Sequence, residues 1–422
     1  MEEKSLKKVS GSALALILLS FTVYYFAYLG RYSYSSNINC VIDYYGVSKA
    51  SAGSVGTFFF IAYGVGQVVN GLLCSKYNPR YAIFIALVFS AISNFAVGFI
   101  GVENFNLLKI TWLVNGFAQS VLWSSLIRLL NGYLPRKNLG LAIFIMGFPV
   151  STGTFTIYGL SSLLSALNLS FKKVFFIAGG LMIIISLVWF FGVDKLKQKC
   201  SKERESENTV SQNEKQELKS ESSSSNFIAV FCLLALFAVA NNLVKDGLTT
   251  WMPAIMREKY QLKNAFSTFL TLFLPIFALM GGTLAIYLNK KLKNYVVVCG
   301  VFYLASFAMF VAVLLLLNSS IWILPLICFV LVALAMSGVN NVITNIFPML
   351  YPNKNAGALA GVLDGFCYLG SAITSFGMGS VADNYGWNTV FYIFLAICAL
   401  MILICIVYLA LLKAKTKLKS KN

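Results

Sequence analysis

Residues 137–148 read KNLGLAIFIMGF, and residues 354–366 read KNAGALAGVLDGF. Both runs follow a short polar loop and open an apolar stretch, so one unit of sequence occurs twice in the chain. A second pair of loops matches in kind, SKYNPR at 75–80 and NKKLKN at 289–294. Between the repeats lies DKLKQKCSKERESENTVSQNEKQELKSESSSS, residues 194–225, the one long polar segment. It mixes Lys, Glu and Ser without an aromatic and reads as a flexible cytoplasmic linker. Twelve apolar stretches of about 20 residues flank it, each long enough for a hydrocarbon core of about 30 Å. They run over 12–37, 50–74, 81–101, 106–132, 139–163, 172–193, 227–254, 264–288, 295–317, 320–350, 356–380 and 388–412. Six precede the linker and six follow it. Paired six-helix halves related by an axis along the membrane normal place a substrate site between them, near the midplane. The expected fold is therefore an all-α membrane protein of 12 transmembrane helices, with an N-terminal half at 1–193 and a C-terminal half at 226–422.

Composition agrees. Of 422 residues, 58% are hydrophobic and only 11% charged, with a mean hydropathy of +0.77. Soluble domains carry about 25% charged residues. The net charge of +18 would suit nucleic acid, but its distribution argues against that. With the N-terminus inside, most basic residues fall on the cytoplasmic side: the N-terminal tail, Lys76 and Arg80, Arg136 and Lys137, the linker, Lys290, Lys291 and Lys293, Lys354 and the C-terminal tail. This positive-inside bias puts both termini in the cytoplasm. The first stretch exceeds a signal-peptide core and has no small-residue cleavage site after it, so it reads as a membrane span. The nine cysteines form no CxxC pair and the chain has no histidine, so disulfide, zinc and other cofactor frameworks are not expected. No Walker loop or catalytic triad suggests an enzyme.

Two cations at related places in the two halves are charges that a bilayer tolerates poorly. Arg31 lies in the first span and Lys245 in the seventh, the first of the second half, at nearly equivalent positions. A central Arg or Lys costs about 2.5–3.5 kcal/mol on insertion scales. Facing one another across a cavity, the two cations would attract an anion strongly at low dielectric. Tyr24, Tyr28 and Ser35 lie at helical offsets from Arg31, and Asn241, Asn242 and Thr249 flank Lys245, as expected of a wet cavity wall. For Lys245 another reading stays open: a structural pair with Asp246, or with Asp364 in span 11.

The residues around these cations resemble a known family. The first span gives YYFAYLGRYSYSSNI (24–38) followed by YGVS (45–48). Span 2 and its loop give IAYGVGQVVNG (61–71) and NPR (78–80). Span 4 gives NGFAQSVLW (115–123), with PRKNLG (135–140) after it. Span 7 gives VKDGLTTWMP (244–253), and the last two spans give AGALAGVLDGFCYLGSAITSFGMGSVADNYGW (356–387). In this order they resemble the organophosphate:phosphate antiporter family of the major facilitator superfamily. The resemblance implies alternating access, exchange of phosphate for a phosphate ester such as a sugar phosphate, and a pair of basic residues, here Arg31 and Lys245, on the phosphoryl group. The second of that pair is arginine in the best-known bacterial members. Glycerol-phosphate carriers have further lysines where this chain has Tyr32 and Gln67, and a histidine near Phe148. The pocket is thus less basic than theirs.

Further candidates line the same spans. Gln119 and Trp123 are one turn apart in span 4, and Tyr63 and Tyr368 could donate hydrogen bonds. In NNVITN (340–345), either the Asn340/Thr344 face or the Asn341/Asn345 face could meet substrate hydroxyls or tie helices together. Asp364 could pair with Lys245 or couple a proton. Arg128, near the cytoplasmic end of span 4, reads as snorkelling or tying helices rather than binding substrate. The expected function is exchange of phosphate for a small anionic organophosphate by a monomer in the plasma membrane. Proton-coupled symport of a non-phosphorylated organic anion or zwitterion, and a non-transporting sensor, are the other readings.

Overall fold

The computed structural model describes residues 10–73, 76–210, 224–316, 321–349 and 356–419. Ser10 opens α1 (Gly11–Tyr32), its hydroxyl accepting from the Ala13 amide. A 3₁₀ turn (Ser35–Asn37) leads to α2 (Ile38–Tyr45), which ends at Gly46 in the left-handed conformation. Then follow α3 (Lys49–Leu73), α4 (Pro79–Phe99), α5 (Phe105–Tyr133), α6 (Leu139–Ile145), α7 (Pro149–Ala166) and α8 (Lys172–Val210). Asn78 caps α4 and Pro79 occupies its first turn, where a missing N–H costs nothing. The second series is α9 (Ser224–Tyr260), α10 (Asn264–Leu270), α11 (Phe273–Leu292), α12 (Tyr295–Leu316), α13 (Ile323–Asn341), a π-helical stretch (Val342–Ile346), α14 (Phe347–Met349) and α15 (Ala356–Lys419).

Ten segments among the described residues are long and apolar enough to cross a membrane. Twelve were expected, and two elements account for the difference. The last segment, Leu359–Leu412, counts once although two helical rods meet in it at Gly386, whose φ of 77° is open to glycine alone at little cost. Helix α5 lies along α3 and α4 but is not one of the ten. Asn115, Gln119 and Arg128 dilute its apolar character.

Buried apolar side chains form three clusters. One is drawn from residues 230–405, joined by Ile38 and Ala52. The second comes from residues 13–200, with Leu272 as the exception. A smaller third surrounds Tyr34, Tyr63 and Trp112 and includes Ala372. Large apolar side chains such as Phe99, Phe191 and Leu315 point outward, as lipid contact requires.

The segment expected to be a flexible linker is helical in its first part. Helix α8 continues past residue 194 to Val210 because its charges find partners. Asp194 pairs with Arg80 and, at 3.1 Å, with Lys197, Glu203 accepts from Ser10 and Ser12, and Arg204 donates to the Asn131 and Gly132 carbonyls. Residues 211–223, and Lys354, lie outside the described residues.

The two series of helices meet most firmly at the end of the bundle formed by α2, the start of α3 and the end of α9. Lys49 lies 3.2 Å from Glu258 and 3.5 Å from Asp383, which also accepts from the Ala50 amide. Arg257 pairs with Asp43 at 2.7 Å, and Trp387 donates to Glu258. Deeper in, Ser375 donates to the Gly53 carbonyl, Thr57 to that of Ala372, and Tyr158 to that of Thr249.

Candidate functional site

Four residues of α1 share one face: Tyr24, Tyr28, Arg31 and Tyr32. The three tyrosine rings form a ladder, with centroids 5.1 Å apart for Tyr24–Tyr28 and 5.9 Å for Tyr28–Tyr32. Arg31 occupies the last turn of α1, where free carbonyls favour a cation. The backbone there is held from two sides. Asn94 and Asn115 donate to the Gly30 carbonyl, and Ser33 donates to Asn94.

Arg31 is only 4% exposed. Its Nε donates to Gln119 Oε1 at 3.2 Å, and Nη1 donates to the hydroxyls of Tyr28 (3.1 Å) and Tyr368 (3.0 Å). Gln119 is itself fixed by donating to Ser90 and Asn115. Aromatic faces enclose the charge: the guanidinium carbon lies 4.1 Å from the Tyr63 ring centre, 4.4 Å from Tyr28, 5.6 Å from Phe59 and 5.8 Å from Tyr368. Cation–π attraction is worth about 2 kcal/mol at a desolvated site, which helps hold the charge but does not neutralise it. Among the described residues no carboxylate pairs with Arg31 at 4.0 Å or less. Its Nη2 is buried with no hydrogen-bond partner, and so is the Tyr63 hydroxyl beside it. A buried cation is thus left with one donor that has room for a further acceptor.

Lys245, on α9, lies 4.0 Å from Asp246 Oδ1, with about a quarter of its side chain exposed. Asp246 is buried and held through its other oxygen by Ser371 (2.5 Å) and Asn242 (3.2 Å). Lys245 is therefore loosely paired with its neighbour and retains donors. The other acid, Asp364, accepts through Oδ2 from Gln67 Nε2 of α3 at 2.9 Å.

Of the other expected residues, Tyr24 and Trp123 pack together at 5.1 Å on the flank of the tyrosine ladder. The Tyr63 and Tyr368 rings meet at 4.3 Å, tilted by 52°, across the junction of α3 and α15. Asn241 donates to Asn242, and its own carbonyl oxygen is buried without a partner. Asn341 lies instead against Gly282 of α11, and it is Asn340 that reaches α15, accepting from Cys367. Arg128 donates to the Tyr77 carbonyl in the loop between α3 and α4. Phe59, Gln67 and Ser371 were not among the candidates. The signal for Gln67 was present, since it stands one helical turn from Tyr63, and Ser371 likewise stands seven residues from Asp364.

Comparison with known proteins follows this geometry. The sequence profile of the Major Facilitator Superfamily matches residues 20–315 and 295–422. A glycerol-3-phosphate transporter of Bacillus subtilis is 26% identical over 430 residues, covering 96% of this chain and 94% of its own. A protein of Chlamydia trachomatis described as a probable hexose phosphate transport protein is 24% identical, covering 91% and 88%. Among solved structures, a D-xylose-proton symporter superposes with a TM-score of 0.72 at 11% identity over 93% of this chain and 96% of its own, a likeness of fold.

Proposed function

This chain belongs to the Major Facilitator Superfamily, and we propose on that footing that it exchanges inorganic phosphate for a small phosphate ester by alternating access. As a multi-pass membrane transporter it needs no bond-making chemistry, only a site that binds anions and changes its exposure. The observation that bears most weight is Arg31: buried, caged by aromatic rings, unpaired by any described acid and with Nη2 unsatisfied. A phosphoryl oxygen at Nη2 would complete its hydrogen bonding, with the Tyr63 and Tyr368 hydroxyls as further donors. Lys245 supplies the second charge from the other half. An arginine fork and an ammonium together suit a phosphate dianion. The names of the two bacterial relatives point to the same substrate class.

The proposed architecture has twelve crossings, counting α5 and both rods of α15. The halves, 1–193 and 226–422, are joined by 194–225, with both termini cytoplasmic. In this arrangement the Lys49–Asp383 end faces outward and is closed. Reorientation of an empty carrier would carry the unsatisfied Arg31 through a closed, low-dielectric state, and a bound anion removes that penalty. Exchange is then faster than net one-way flux.

Binding tests the reading. Phosphate and phosphate esters at about 100 times Kd should raise the stability of the purified protein by about 2.7 kcal/mol, seen as a rise in melting temperature that grows with concentration. Arg31→Ala should lose the response. Stabilisation by non-phosphorylated organic anions alone would rule out the substrate class.

A further inference from the structure

We propose that the transported ester also carries a primary amine, which docks on the hydrogen-bonded Asp364–Gln67 pair. This rests on the phosphate-ester reading above and adds the identity of the organic part. Asp364 and Tyr368 are four residues apart on α15, and Gln67 and Tyr63 are four apart on α3. Each pair therefore spans about one helical turn, roughly 6 Å of rise. The Tyr63–Tyr368 layer is the one that touches Arg31, so the Gln67–Asp364 layer sits one turn below the guanidinium.

The two layers have opposite chemical needs. At Arg31 a buried donor, Nη2, lacks an acceptor. One turn away, the shortage is of donors. Gln67 is 4% exposed, one N–H of its Nε2 donates to Asp364 Oδ2, and its Oε1 is buried without a partner. With the carboxylate ionised, the amide nitrogen must face it, so the orphan is the amide oxygen. Asp364 Oδ1 is a second acceptor in the same layer. Two acceptors, one of them charged, match an ammonium group and leave a neutral aliphatic tail with nothing to offer.

Charge balance points the same way. With both carboxylates ionised, Arg31 and Lys245 are matched in number by Asp246 and Asp364, and the cluster has no net charge. A phosphate ester with a neutral organic part adds its full negative charge to that site. An aminated ester adds less, and it places its positive end beside the acid rather than the cations. Asp364 would oppose an ordinary ester and favour an aminated one, which separates this pocket from a purely basic one.

The test is competition against phosphate exchange in vesicles reconstituted with the full-length protein. Ethanolamine phosphate is compared with 2-hydroxyethyl phosphate, and glucosamine 6-phosphate with glucose 6-phosphate. In the unmodified protein the amine of at least one pair should compete about tenfold better than its neutral partner, the ratio expected of one added charge-assisted hydrogen bond. Asp364→Asn should reduce the ratio towards one, and Asp364→Glu should keep most of it. The ratio is read within each variant, so a general loss of activity does not imitate the effect. Binding of the same pairs by melting temperature serves for any variant too slow to transport. Equal competition within both pairs, or a preference that survives Asp364→Asn, overturns the amine while leaving phosphate exchange intact. If no ester of either kind competes, the underlying exchange reading fails with it.

Discussion

Arg31→Ala should lower phosphate exchange at least about 100-fold while the protein remains folded. Truncating one partner of a buried, hydrogen-bonded charge pair costs about 2–5 kcal/mol, a factor of roughly 30 to several thousand in the populated complex. The upper part of that range applies because the residue supplies both charge and a fork of donors. Arg31→Lys should recover part of the activity: it retains the charge but loses the planar geometry that reaches Gln119, Tyr28 and Tyr368 together. The ligand-dependent rise in stability separates a binding role from a structural one. Removing Arg31 leaves Gln119 and Tyr368 short of a partner in either case, so the basal melting temperature falls under both. Only a binding arginine also takes with it the rise that phosphate produces. Exchange and melting temperature measured on the same preparation decide between them.

The second large effect is conformational. A Cβ on Gly53 would stand 2.0 Å from the Ser375 carbonyl oxygen and 2.8 Å from its carbon. Both are backbone atoms, so no side chain can swing aside. Gly53→Val must push α3 away from α15 at the closed end, where Ser375 also donates to the Gly53 carbonyl. Overpacking of this kind costs about 1–3 kcal/mol or more, and the cost falls only on the state in which that end is shut. The population should shift about tenfold or more towards the state open at that end. Exchange, which needs both states, should fall by a similar factor. In a cysteine-free background, Lys49→Cys and Asp383→Cys report on closure, and Gly53→Val should sharply reduce their cross-linking. Gly180→Ala, where a Cβ meets nothing within 4 Å, is the control and should change neither quantity. Unaltered cross-linking in Gly53→Val would mean that the contact yields locally and does not govern closure.

Much of this arrangement can be read in the chain, and the parts that cannot share a physical cause. Helical spacing places Tyr24, Tyr28 and Arg31 on one face without a structure, because the partners lie within two turns of one another. Gln119 was a candidate for the same reason, as a polar residue in an apolar helix one turn from Trp123. The partner of Asp364 was not legible. Gln67 is 297 positions away on the other series of helices, and no periodicity within either helix relates them. The choice between Asn340 and Asn341 also escaped the sequence: adjacent residues differ by about 100° around a helix, and the phase against α15 is set by packing. Lys245 stood between two acids on sequence grounds. The structure places it 4.0 Å from Asp246 and gives one oxygen of Asp364 to Gln67. The helix count shows the converse problem. Gly386 marks a junction that apolar content alone conceals, and α5 pays for its polar face with a lower hydropathy.

Counterflow tests the central claim most directly. The purified protein is reconstituted into liposomes loaded with unlabelled phosphate, and uptake of labelled phosphate is followed from outside. The account predicts saturable uptake that requires internal phosphate, is competed by phosphate esters, is indifferent to a protonophore and is absent in Arg31→Ala. Phosphate binding without counterflow, or uptake that collapses when the proton gradient is dissipated, would contradict it.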